Sequence, residues 1–67
     1  MIYAIKNIDT GEVMYIKDES PLAAIKKAIA IIPGAETAKI ETLYNVYYFK
    51  HKGEMYCCVR SEGGEQP

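Results

Sequence analysis

Tryptophan is absent from this 67-residue chain, phenylalanine and histidine occur once each, and cysteine occurs only twice. The two cysteines, Cys57 and Cys58, are neighbours, so they supply no disulfide framework, and a bridge between them would be strained. With His51 they are the candidate metal ligands, yet strand neighbours point to opposite faces and no CxxC pair exists. No metal site and no cofactor site is therefore expected. His51 falls in a predicted loop and reads as a solvated turn residue. Neither cysteine has an identifiable base beside it, and a cysteine in mid-strand is usually a small buried hydrophobe.

Other absences narrow the class further. No apolar run approaches the ~18 residues that a membrane span needs. The start, MIYAIKNIDTG, has no basic segment and no cleavage pattern of a signal peptide, which points to a cytoplasmic protein without a membrane partner. Charge of either sign is not in excess: the net charge is −1 and the pI is near 5.7. That is not the footprint of a protein that grips duplex nucleic acid by its phosphates. No nucleophile, base and orienting group stand together, and a domain this small has little room for a deep pocket. The expectation is a protein that is not an enzyme.

What is present is a chain 49% hydrophobic and 25% charged, ordinary for a globular domain. Its centre is the run Ser20 to Ile32, SPLAAIKKAIAII, read as the only helix. Ser20 suits the N-cap, Pro21 the first helical position, and Asp18 and Glu19 lie near the positive end of the helix dipole. Pro33 disfavours helix at Ile32, and Gly34 can take positive φ beyond it. Leu22, Ile25, Ile29 and Ile32 form one buried stripe. Ile31 falls opposite that stripe with Ala23, Ala24 and Ala30, either as a stray exposed residue or as part of a second contact.

Strands are expected on both sides of the helix. Ile2–Ile8 and Glu12–Lys17 form a hairpin through a three-residue loop, Asp9-Thr10-Gly11, which sets Ala4 against Ile16 and Lys6 against Met14. A long segment from Ala38 to Lys50, with a possible bulge at Asn45, leads through His51-Lys52-Gly53 into a returning strand, Met55–Arg60. That register sets Tyr48 against Tyr56, Val46 against Cys58 and Tyr44 against Arg60. The fold class is therefore α+β: a two-layer ββαββ domain over residues 1–60, with one helix on a four-stranded, mainly antiparallel sheet of order 2-1-3-4. Residues 61–67 are expected to be a disordered polar tail.

One helix covers one face of a sheet. The aliphatic face, with Ile2, Ala4, Met14, Ile16, Leu43, Phe49, Met55, Cys57 and Val59, is the expected core. The opposite face then carries Tyr3, Tyr15, Tyr44, Tyr48 and Tyr56, with Lys17, Lys50 and Arg60 among them. Those eight residues are the candidate binding site. A plain reading is available, in which tyrosines simply pair across strands of a half-solvated sheet. The functional reading is a small binding module, adaptor-like or inhibitor-like, whose tyrosine face meets a protein partner or a second copy in a homodimer. The alternative is a single-stranded nucleic acid stacked on the tyrosine rings, with its phosphates near the lysines and Arg60. A one-residue slip in either hairpin would send its tyrosines to the core.

Overall fold

A computed structural model describes residues 1–61 of the chain. The helix, α1, runs Pro21–Ile31 and follows its sequence signals closely. Ser20 is extended, and its hydroxyl accepts from the Ala23 N–H at 3.1 Å. Such a cap stabilises a helix by about 1 kcal/mol. Pro21 takes the first position. At the other end Ile32 leaves helical geometry at ψ 121°, its N–H still donating to the Ala28 carbonyl, and Pro33 follows. Asp18 accepts from the Glu19 N–H and pairs with Lys27 at 3.0 Å. These two contacts hold its carboxyl below the usual carboxylate range, the backbone hydrogen bond being the larger cause.

Helix burial is wider than the predicted stripe. Ile25 and Ile29 are buried as expected, and Ala24 and Ala28 join them. Small residues there let the helix approach the sheet closely. Leu22 and Ile32 pack at the margin of the core, while Ile31 is 62% exposed.

The order of elements is β1 (Ile2–Asn7), β2 (Val13–Lys17), α1, β3 (Glu41–Leu43), β4 (Val46–His51) and β5 (Glu54–Arg60). The class is α+β as expected, but the sheet has five strands in the order β2-β1-β5-β4-β3, every neighbour antiparallel. Two expectations are thereby corrected. The segment expected to be one long strand with a bulge at Asn45 is folded in two by a tight turn. Tyr44 and Asn45 take φ of 51° and 64°, the paired positive values of a type I′ hairpin. The order 2-1-3-4 fails because the last strand, not the segment after the helix, lies beside β1. The reason is compositional. Met-Tyr-Cys-Cys-Val in β5 is apolar toward both faces and suits the sheet centre, whereas Glu-Thr-Leu in β3 is short and exposed and suits an edge.

Both hairpin registers also differ from expectation by one residue. Asn7 opens the first turn, ahead of Asp9. Its Oδ1 accepts from the N–H groups of Asp9 and Thr10, at 2.9 and 3.1 Å, and its carbonyl accepts from Gly11 N–H. The loop is thus four residues, 8–11, and Ala4 meets Tyr15, not Ile16. In the second hairpin Lys52 and Gly53 have φ of 54° and 79°, so the loop has two residues, not three. Tyr48 then meets Cys57, not Tyr56, and Phe49 meets Tyr56.

These shifts invert β1 and β5 and leave β2 and β4 facing as expected. The core between helix and sheet holds Tyr3, Ile5, Ile16, Phe49 and Cys58, with Met14, Tyr47 and Tyr56 packed against it. Phe49 and Tyr56 stack with ring centroids 4.8 Å apart. Ile2, Ala4, Leu43, Met55, Cys57 and Val59, expected in the core, lie on the other side. Ser61 donates its N–H to the Ile2 carbonyl, extending the pairing of β5 with β1 by one step. The remainder of the expected tail lies outside the described residues. Among the described residues, no helix is long and apolar enough to cross a membrane.

Candidate functional site: the outer face of the sheet

The helix lies on one side of the sheet, and no described element covers the other. Strand pairing sets the side chains of that outer face in rows. One row runs Tyr15, Ala4, Val59, Val46, Leu43 and is apolar from the β2 edge to the β3 edge. The next runs Val13, Lys6, Cys57, Tyr48, Glu41, with a cation near one end and a carboxylate at the other. Met55 and Lys50 pair in a third row. Leu43, Val13, Tyr15 and Val59 are all more than two-fifths exposed. Leu43, Tyr44, Val46, Tyr48, Met55 and Cys57 line a shallow, nearly wholly apolar hollow of about 300 Å³ at the β3–β4 end.

The eight expected site residues divide. Tyr15, Tyr48, Lys17 and Lys50 belong to the outer face. Tyr3 is buried against the helix, its hydroxyl donating to the Met1 sulfur at 3.3 Å, and Tyr56 stacks on Phe49 beneath it. Arg60 pairs with Tyr3 and has the same strand parity as Cys58, which puts it with the helix side, exposed at the end of the sheet. Tyr44 is 89% exposed at the tip of the β3–β4 turn. The outer surface is therefore an aliphatic band with two tyrosines, not a tyrosine platform. The residues that sequence reasoning left out of the site are Ala4, Lys6, Val59, Met55, Cys57, Leu43 and Glu41. The strand alternation that would have found them depends on the turn at Asn7, on the two-residue turn at Lys52-Gly53 and, for Leu43 and Glu41, on the turn at Tyr44-Asn45.

The electrostatics of the face are simple. The Tyr48 hydroxyl donates to Glu41 Oε1 at 3.3 Å, and the nearby Glu41 charge holds the phenol above its ordinary pKa. Burial pushes the Cys57 thiol up. On the other side of the sheet, Cys58 is buried with its Sγ 3.7 Å from the Pro21 carbonyl, and burial, with a smaller contribution from Cys57, pushes it up to about 11. Both thiols are thus held in the protonated form, the opposite of what a nucleophilic cysteine needs. Among the described residues no three His, Cys, Asp or Glu side chains gather as metal ligands, and no buried side-chain polar atom lacks a partner. A second hollow, of about 390 Å³, opens between the β1–β2 end and Ile32, but its buried polar side chain, Asn7, already spends its hydrogen bonds on Glu54 and the loop.

No family model matches this chain, and no curated protein or solved structure matches it at a significant level.

Proposed function

We propose that the protein is a non-enzymatic protein-binding module that works through the outer face of its sheet, and that it binds a second copy of its own chain. The observation that carries this reading is the apolar row from Tyr15 to Leu43, which crosses all five strands with no described element over it. Contiguous apolar patches of this kind mark interaction surfaces. A second copy is the natural occupant because an identical face is equally apolar and equally flat. The strands hold 27 residues in all, which at a rise of ~3.3 Å and a spacing of ~4.8 Å present roughly 430 Å² on each face. Two copies would bury somewhat under ~1,000 Å² of sheet together, the size of a weak interface that dissociates on dilution.

Stacking of single-stranded nucleic acid has less support on this surface. Tyr15 and Tyr48 stand three strands apart, with Ala4 and the β5 residues between them, and the chain carries net negative charge. Consecutive bases need neighbouring rings.

Light scattering over a dilution series tests the reading. The wild-type chain is expected to show twice its 7.5 kDa mass at high concentration and to dissociate on dilution. Val59→Lys puts a charge at an exposed site in the band and should yield a folded monomer. A wild-type chain that stays monomeric at every concentration, or a Val59→Lys chain that stays dimeric, would refute self-association through this face.

A further inference from the structure

We infer that the two copies are related by a two-fold axis that runs close to β5 and passes by Cys57. Lys6 of each copy then meets the Tyr48–Glu41 pair of the other. This inference rests on the reading that the outer face self-associates, and it adds the geometry of the pair.

Cys57 is the middle residue of the middle strand, so it marks the centre of the face. Its row is electrically lopsided. Lys6 lies one strand to one side, on β1. Tyr48 lies one strand to the other side, on β4, and Glu41 two strands away, on β3. A two-fold axis between stacked sheets lies in the plane midway between them, and aligned packing, with strand directions within about 30°, sets it close to along the strands or across them. An axis across the strands sets every residue of the row over itself. Lys6 would face Lys6 and Glu41 would face Glu41, which is repulsive on both sides of the centre. An axis along β5 exchanges the two halves of the row. Lys6 then stands over Tyr48 of the second copy, with the Glu41 carboxylate one strand spacing away and within reach of a lysine chain. The ammonium meets an aromatic ring and a carboxylate together. By symmetry the contact forms twice, and the aligned packing angle of about 30° between stacked sheets leaves it intact. The same axis brings the two Cys57 side chains together at its centre.

Charge exchange and thiol linking test this geometry. Lys6→Glu and Glu41→Lys are both at exposed positions, and circular dichroism checks that each variant folds. Each single variant turns two attractive contacts into two repulsive ones, so its dimer should weaken by about tenfold or more. An equimolar mixture of the two variants restores opposite charges at both contacts, and light scattering should show the dimer returning. A short bis-maleimide should join two wild-type chains through Cys57, and Cys57→Ser should abolish the product, because Cys58 is buried on the other side. If the wild type is a dimer but the mixed variants regain none, or if wild-type chains are not joined through Cys57, the axis is overturned while self-association stands. A wild-type monomer would overturn both.

Discussion

Asn7 is the one buried polar residue among the described core, only 2% exposed, and replacing it with aspartate should make stability depend on pH. Its Nδ2 donates to Glu54 Oε1 at 2.9 Å, and its Oδ1 receives two loop N–H groups. Asn7→Asp keeps the acceptor and replaces the donor with a second carboxylate oxygen facing Glu54. The lost hydrogen bond to a charged group costs about 1.5–3 kcal/mol. Two unit charges about 4 Å apart near a protein surface repel by up to about 4 kcal/mol, less once Glu54, which is half-buried, swings outward. A loss of about 3–5 kcal/mol near pH 7.5 follows, a large part of the ~3–10 kcal/mol available to a domain of this size. The sign with pH is fixed. The new carboxyl has a folded pKa above its unfolded value of ~3.9. The stability attached to its protonated form is complete below the unfolded value and is lost as pH rises through the folded one. Urea unfolding of wild type and variant near pH 3 and near pH 7.5 measures this, and the gap should narrow to about 1 kcal/mol or less at the lower pH, where the protonated carboxyl can itself donate to Glu54. A gap of equal size at both values would refute the charge argument and leave only the lost amide hydrogen bond as its cause.

Tyr44→Asn should raise the melting temperature. A tyrosine at φ 51° carries about 1 kcal/mol of left-handed strain that asparagine largely avoids, worth about 4–8 °C for a chain of this size. An unchanged or lower melting temperature would mean that the exposed ring makes a stabilising contact after all. Alkylation of the dilute, dissociated chain at about pH 8 should modify Cys57 and spare Cys58 until the chain is unfolded, because Cys58 is buried and its pKa is pushed up to about 11. Mass spectrometry of the labelled peptide decides it, and equal labelling of both thiols in the folded chain would contradict the assignment of β5 faces. Asp18→Asn should remove a contribution to stability that is present above the ordinary carboxylate pKa and lost as acid protonates the folded form. Its urea midpoint should therefore approach that of wild type in acid, and a midpoint difference that does not change with pH would argue against it.

The ends of the helix were legible in the sequence, since Ser20, Pro21 and Pro33 each act within a few residues of their own position, but its buried width was not, because Ala24, expected opposite the stripe, is buried in the core. The facing of β2 and β4 was legible too, because Lys17 and Lys50 mark the outward phase of their strands and Met14, Ile16 and Phe49 fall in the other. The facing of β1 and β5 was not. Ile2-Tyr3-Ala4-Ile5 and Met55-Tyr56-Cys57-Cys58-Val59 are apolar in both phases, so alternation cannot choose between them. Only the turns decide. Asn7, two residues ahead of the aspartate that suits the start of the loop, captures two N–H groups with its side chain. Tyr44-Asn45 was hidden for a related reason: type I′ turns favour Asn or Gly at both central positions, and a tyrosine at the first conceals the signal. Half of the expected site followed these strands to the helix side or out to the turn, and the uncovered face kept its apolar character through the change.

The central position of β5 has a consequence for how the chain folds. The β1–β2 hairpin, the helix and the β3–β4 hairpin are each made of residues close in sequence, and each can begin to form on its own. None of them closes the sheet. That step requires β5 to insert between β1 and β4, joining Tyr3 to Arg60 across nearly the whole described chain. Such a topology carries a high contact order, which slows folding to the millisecond-to-second range of sheet-rich domains. It also makes folding all-or-none in synthesis: until the last strand emerges, two hairpins and a helix hang together with an open slot between them, and a chain cut before Glu54 has no sheet centre to fold around.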